Sequence, residues 1–209
     1  EIVHAVNYMR RWDTKYRYIK EQLDAEDLGA VQTVVAYGAT ALFTSTSHLL
    51  DTVLYFCGQP LWVSGDLQRD FVRQGHGRED PGGIGFIHFA NGAFGFLKGT
   101  SHSPYKYMFE VDILCANGRL RIADDGRTLK KWSFGLGNTS SGYGYEALTE
   151  TEPIEIEENE RMLMAIDEIV GALEGGDMPA SNFISAEGVV RVINLIEQSA
   201  NCGSAPQVF

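Results

Sequence analysis

Three dipeptides that favour tight turns constrain the fold of this chain more than any other feature. Asn91-Gly92, Asn117-Gly118 and Asp125-Gly126 all lie within residues 61–134, each between two candidate strands. Such pairs favour two-residue hairpins because both residues accept a positive φ angle at low cost. In residues 106–115 apolar and polar side chains alternate, as in a strand with one buried face. We therefore predict an antiparallel meander over this region.

Helical patterns flank the meander on both sides. The spacing of apolar residues and the capping residues predict four helices, at 13–27, 47–56, after Asn159, and from Ser185 to about Asn201. Further strands are predicted at 2–8, 31–42 and 153–157, and a long loop at 135–152. This pattern indicates an α+β domain with a large open, mostly antiparallel sheet and helices mainly on one face. The uncovered face predicts self-association.

Composition argues against several classes of partner. Lys and Arg number 17 against 28 Asp and Glu, a net charge of −11 that would repel nucleic acid and anionic membranes. The sequence contains no apolar run long enough to span a bilayer. Three widely spaced cysteines form no C-x-x-C motif, which favours a reducing cytoplasm over disulfides or structural zinc.

The strongest candidate for chemistry is His48, placed by the pattern at the start of the second helix. The positive end of the helix dipole lowers the proton affinity of a histidine there, which suits acid–base catalysis near neutral pH. A structural histidine bonded to the backbone is the commoner use of such a residue. Asp51, one turn further on, could orient the ring or could be a solvated surface carboxylate.

Other candidates surround the same helix and the meander. Arg10 lies where a strand is expected to lead into a helix, a position that often faces ligands, although a surface arginine is an equal alternative. Ser45 could bind a polyhydroxylated substrate or simply cap the helix. His102 and Tyr105 lie in a polar, aromatic turn and could line a pocket, but turn chemistry explains them almost as well. We find no residue spacing typical of a metal site.

Four sequence segments together resemble one family. They are NYMRRWDTKYRYIKEQLDAEDLG, HLLDTVLYFCG, FANGAFGFLKGT and GGDMPASNFISAEGVVRVI, in this order. In order and separation they are similar to the substrate domain of the glucose-fructose oxidoreductase and inositol dehydrogenase (Gfo/Idh/MocA) family. The resemblance implies a glyceraldehyde-3-phosphate-dehydrogenase-like C-terminal domain from an NAD- or NADP-dependent oxidoreductase. Its implied substrates are sugars, cyclitols or related polyols.

The resemblance also implies domain boundaries and residue roles. Residues 1–8 match the last strand of an N-terminal Rossmann domain that the chain lacks, and residues 9–209 match the substrate-binding and oligomerisation domain. His48 matches the catalytic histidine, Arg10 a position near the pocket, and Ser45 a sugar contact. Many members carry an acidic residue four positions before that histidine. Here the position is Thr44, which we keep as a candidate substrate contact although it cannot exchange a proton near neutral pH.

Two consequences follow for the isolated chain. It contains no G-x-G-x-x-G motif, so we expect no bound cofactor and no turnover without a dinucleotide-binding domain.

The family resemblance and the uncovered sheet predict a homodimer or homotetramer. The alternative is a non-catalytic binding or dimerisation module derived from the same family, which the threonine at position 44 would permit.

Overall fold

A computed structural model describes residues 2–39, 41–75, 77–100, 107–135, 145–151 and 153–209. In this part of the chain a short 3-10 helix, Met9–Trp12, precedes the first α-helix, and a second 3-10 turn covers Asp124–Gly126. The helices are α1 (Thr14–Asp24), α2 (Ser45–Cys57), α3 (Arg161–Leu173) and α4 (Phe183–Asn201). The strands are β1 (Val31–Gly38), β2 (Pro60–Gly75), β3 (Arg78–Phe89), β4 (Phe94–Gly99), β5 (Phe109–Cys115), β6 (Gly118–Ala123), β7 (Thr128–Gly135), β8 (Ala147–Glu150) and β9 (Gln207–Val208).

The described strands form one large open sheet. Their order is β8-β7-β6-β5-β1-β4-β3-β2-β9. Strands β1 and β4 run parallel, and every other neighbouring pair in this order is antiparallel. The prediction of an α+β domain with a mostly antiparallel sheet is therefore confirmed.

All three turn dipeptides join adjacent antiparallel strands. Asn91-Gly92 connects β3 to β4, Asn117-Gly118 connects β5 to β6, and Asp125-Gly126 connects β6 to β7. Within the described residues of the meander, the register follows the alternation in the sequence. Phe109, Val111 and the other inward residues of β5 are buried, while the residues between them are partly exposed. A one-residue slip would turn this apolar set to the other face, so burial fixes the pairing.

Helices α1, α2 and α4 supply the core that covers one face of the sheet. On α1 the apolar stripe of Tyr16, Ile19 and Leu23 is buried. The carboxylate of Asp13 caps this helix by accepting the backbone N–H groups of Lys15 and Tyr16. Helix α4 packs on β2, and α2 packs on β1 and α4, so the N-terminal end of α2 lies over the middle of the sheet.

The opposite sheet face carries an uncovered cluster of rings on β2, β3 and β4. We call it the aromatic patch; it consists of Trp62, Phe86, His88, Phe94 and Phe96. Centroid distances between neighbouring rings are 4.6–5.5 Å. Phe96 keeps 46% of its surface exposed, so these rings pack against one another but remain open to solvent.

Several predicted elements differ from the structure. Residues 2–8 form no strand; the N–H of Val6 instead donates to the carbonyl of Ser181. Residues 153–157 are also irregular, and the strand that pairs with the outer edge of β7 is β8. Strand β1 ends at Gly38 and α1 at Asp24, both earlier than predicted.

Other differences concern helix starts and missed strands. Asn159 does not cap α3, since its amide bonds the backbone of Trp12 and Thr14 instead. Ser185 is the third residue of α4 and forms a capping box with Asn182. The short edge strands β8 and β9 were not predicted from the sequence. Among the described residues, no helix is both long and apolar enough to cross a bilayer.

Candidate active site

His48 lies in the first turn of α2, as the sequence predicts. Thr44 occupies the N-cap position, but its side chain makes no capping bond and its hydroxyl donates to the carbonyl of Ala41 at 3.1 Å. The hydroxyl of Ser47 donates to the carbonyl of Thr44 at 2.6 Å. Ser45 is the first residue of the helix and is half-buried. These bonds fix the turn that presents His48.

The imidazole of His48 is partly buried and lies near the ring of Tyr8 and the cation of Arg10. Its Nδ1 is buried and has no hydrogen-bond partner within the described part of the chain. The ring meets Tyr8 edge-on, with centroids 5.2 Å apart. Burial lowers the pKa of His48, the Arg10 cation lowers it further, and the Asp125 carboxylate opposes both. His48 is therefore neutral at pH 7 and able to accept a proton.

Arg10 is the centre of a second group of contacts beside this histidine. Its side chain is buried, donates to the Tyr107 hydroxyl at 3.1 Å and forms an ion pair with Asp125. Its guanidinium carbon lies 3.3 Å from the ring centroid of Phe109, a cation–π contact. The structure thus brings Arg10 and His48 together, as the sequence suggested, and adds three partners for the arginine.

Asp125 reaches this group from the turn between β6 and β7. Its backbone is left-handed, with φ at 55°, a conformation that aspartate adopts more readily than most residues. Its side chain remains 37% exposed beside the buried Arg10. Asp125 therefore offers a carboxylate both to Arg10 and to any ligand that enters from solvent.

Asp51 does not play the part that the sequence suggested. It is completely buried and accepts two-pronged hydrogen bonds from Arg11, at 3.0 Å from Nε and 2.9 Å from Nη2. Burial raises the pKa of Asp51, and the bonds to Arg11 oppose the rise. Asp51 is therefore not the solvated surface carboxylate that one interpretation of the sequence allowed, and its role as a substrate contact stays a prediction. Nor does it bond the buried nitrogen of His48.

Tyr8 joins the cluster from the segment before the 3-10 helix. Burial raises the pKa of Tyr8 and the Asp51 carboxylate adds to the rise, while a hydrogen bond with Ser47 opposes it. Its hydroxyl is therefore protonated near neutral pH and can serve as a hydrogen-bond donor.

An open cleft of about 680 Å³ adjoins the cluster. Tyr107 and Asp125 belong both to the contacts of Arg10 and to the lining of this cleft. Much of the remaining lining is polar and of mixed charge, including Lys15, Glu158 and Arg161, while Met108 and Phe109 add apolar surface. Such a surface suits a neutral, polyhydroxylated molecule better than an apolar one.

The sequence missed part of this cluster and named residues that cannot be placed. No local motif marks Tyr8, Tyr107 or Asp125 as a site residue, and the Asp125-Gly126 dipeptide predicts only a turn. His102 and Tyr105 lie outside the described residues. Within those that are described, no group of three or more His, Cys, Asp or Glu side chains is arranged to hold a metal ion.

Part of the chain is similar to a known protein family. Residues 34–121 match the family model of the GFO/IDH/MocA C-terminal domain. The matched region extends from β1 into β6 and includes His48 and the N-terminal turn of α2. A Haemophilus influenzae protein described as uncharacterized is 28% identical over 100 residues, covering 47% of this chain and 97% of its own length.

Solved structures of this family type share the fold. Levoglucosan dehydrogenase in its apo form superposes with a TM-score of 0.74 at 17% identity, covering 99% of this chain and 66% of its own. An oxidoreductase domain protein from Kribbella flavida gives 0.74 at 16%, covering 96% and 64%. The WlbA dehydrogenase from Bordetella pertussis, solved with NADH and UDP-GlcNAcA, gives 0.72 at 15%, covering 100% and 64%. The chain described here thus spans less than two thirds of the length of each of these three proteins.

Proposed function

We propose that residues 9–209 form the substrate-binding and association domain of an oxidoreductase that acts on a sugar, cyclitol or related polyol. In this proposal residues 1–8 belong to the last strand of a preceding Rossmann domain, and NAD or NADP is the cofactor. The observation that carries it is the setting of His48 in a GFO/IDH/MocA domain: neutral at pH 7, with a buried, unbonded Nδ1, beside Arg10.

His48 is the residue that exchanges a proton with the substrate hydroxyl. A neutral imidazole accepts this proton as the alcohol is oxidised to a carbonyl, and returns it in the reverse direction. Tyr107 and the exposed part of Asp125 supply hydrogen bonds to neighbouring hydroxyl groups, while Arg10 holds both side chains. Ser45 and Thr44 at the start of α2, and His102 and Tyr105 of the meander, remain further candidate contacts.

The cofactor requires groups that this chain does not supply. A dinucleotide is held by a glycine-rich loop at a helix N-terminus, and the sequence has no G-x-G-x-x-G motif. When bound on a separate domain, the nicotinamide accepts or donates the hydride. We expect the 209-residue chain to be inactive alone.

The aromatic patch supports the association part of the proposal. Two copies that cover it would form a homodimer, or a homotetramer with a second interface. A reducing cytoplasm suits the three free cysteines, two of them buried.

The first test is a His48→Asn variant of the complete natural polypeptide, assayed with NAD⁺ and NADP⁺ against a panel of sugars and polyols. We expect kcat/KM to fall about 10²–10⁴-fold, the usual contribution of a positioned acid–base group. A His4→Asn variant is the matched control, because that ring stacks on Phe183 outside the cluster. Titration of NADH into the 209-residue chain, followed by fluorescence, should show no saturable binding.

A second candidate function is supported by Thr44, which occupies a position where a proton-exchanging group is often found. A non-catalytic binding module would bind a polyol in the complete polypeptide yet show no turnover with any member of the panel. Full activity of the His48→Asn variant would instead show that His48 takes no part in the proton exchange. Either result would overturn the catalytic proposal.

A further inference from the structure

The buried ion pair between Arg11 and Asp51 lies outside the proton exchange described above. The side chain of Asp51 is 1% exposed, and that of Arg11 is 11% exposed. Two charges removed from water are costly unless their hydrogen bonds are nearly complete, and such a pair is often no more stable than apolar residues of similar size. The stability of the domain therefore gives only a weak reason for this pair.

The location of the Arg11–Asp51 pair indicates a role other than stability. Asp51 lies on α2, one turn after His48, and Arg11 lies on the 3-10 helix directly after Arg10. The two-pronged contact therefore joins the element that carries the histidine to the element that carries the neighbouring cation. Such a planar contact fixes orientation as well as distance, because both nitrogens of the arginine must meet both oxygens.

A third segment completes the attachment of the 3-10 helix. Nη1 of Arg11 also donates to the carbonyl of Ala180 at 3.2 Å. The N–H of Ala180 donates to Glu168 of α3 at 2.9 Å, and that carboxylate accepts the indole N–H of Trp12 at 2.7 Å. The 3-10 helix is thus held from α2 on one side and from α3 and the segment before α4 on the other.

We infer that Arg11 and Asp51 are positioning residues, which set the distance and orientation between Arg10 and His48. This inference rests on the proposed role of His48. The charged and titratable groups that face the imidazole are Arg10, Asp125 and Tyr8. The Arg11–Asp51 pair acts on His48 only by holding Arg10 in place.

The test replaces both partners at once, as Arg11→Met with Asp51→Leu, so that no unpaired charge is left buried. The ring protons of His48 are then titrated by NMR in the 209-residue chain, and the midpoint of thermal unfolding is measured in parallel. We expect the chain to stay folded and the pKa of His48 to rise, because Arg10 is no longer held beside it. In the complete polypeptide we expect kcat to fall roughly 10²-fold, as misplacement of a catalytic group by about 1 Å can produce, with a smaller change in KM.

A matched control is Arg119→Met with Asp112→Leu, which removes another two-pronged pair on β5 and β6. It should leave the pKa of His48 unchanged. If the first double variant does not fold, Arg11→Lys keeps a cation for Asp51 but loses the planar contact, and should raise the pKa by a smaller amount.

An unchanged pKa of His48 in a folded double variant, or in Arg11→Lys, would overturn the inference. This measurement needs no substrate, so it separates the two proposals. A polypeptide without turnover but with the expected rise in pKa would contradict the proposed function and keep the positioning role.

Discussion

The protonation state of His48 depends on two opposite charges that come from distant parts of the chain. Arg10 approaches from the 3-10 helix and lowers the pKa of the imidazole, while Asp125 approaches from a sheet turn and raises it. The two also pair with each other, so neither acts alone. A change at either residue should therefore be visible in the titration of the histidine.

We expect Asp125→Asn to lower the pKa of His48 further, because the Arg10 cation loses the carboxylate that opposes it. Asparagine accepts the left-handed backbone at this position, so the turn should be preserved. The measurement is an NMR titration of the histidine ring protons between pH 4 and 8. Asp124→Asn is the control, since that neighbour is also left-handed and bonds Thr128. An equal shift in both variants would contradict a specific role for Asp125.

At this scale the sequence predicts what lies within one helix turn and little beyond it. The position of His48 follows from a local helix start, and Arg10 from a local change of pattern. Tyr107 and Asp125 reach Arg10 across sequence separations of 97 and 115 residues, and no spacing rule connects them. The burial of Asp51 also depends on a partner 40 residues away.

At the scale of elements, Asp13 links the start of α1 to α3. Its carboxylate accepts hydrogen bonds from two backbone N–H groups of α1 and forms an ion pair with Arg161. We expect Asp13→Ala to lower the free energy of unfolding by about 1–2 kcal/mol, as loss of a helix N-cap does. Urea unfolding followed by circular dichroism measures this change.

Two further variants separate capping from charge at this position. Asp13→Asn keeps a side-chain acceptor and should recover most of the loss, because asparagine caps about as well as aspartate. Asp27→Ala, in the exposed turn after α1, should change the free energy of unfolding by less than about 0.5 kcal/mol. If Asp13→Asn is as unstable as Asp13→Ala, the ion pair with Arg161 is the larger contribution.

The elements that the sequence predicts well are those that carry their own boundaries. The three hairpins have turn dipeptides, and α1 has Asp13. Residues 2–8 and 153–157 have strand-like alternation, but a strand also needs a neighbour to pair with, and neither segment pairs with a strand of the described chain. Strand β8 shows the reverse case, since pairing with β7 makes a strand from a segment without a clear pattern.

On the scale of the whole molecule, the residues that the structure describes leave two apolar surfaces uncovered. The first is the aromatic patch on the open sheet. The second is one face of α3, on which Met162, Leu163, Ile166, Val170 and Leu173 are each 46–69% exposed. A net charge of −11 opposes association of two copies, but the sheet beside the patch carries paired charges, such as Arg121 with Glu110. That balance favours the sheet as the surface on which we expect a second copy to dock.

We therefore expect Phe96→Glu to weaken self-association of the 209-residue chain by more than about 10-fold, since a central ring of an interface is replaced by a charge. Sedimentation velocity over a range of protein concentrations measures the effect. Leu163→Glu is the matched control, because it puts the same charge on the other exposed surface and should leave the association constant unchanged. If only Leu163→Glu separates the copies, α3 is the interface between them. The open sheet would then need a different partner, and the homodimer proposed above would have to be built on the helix face.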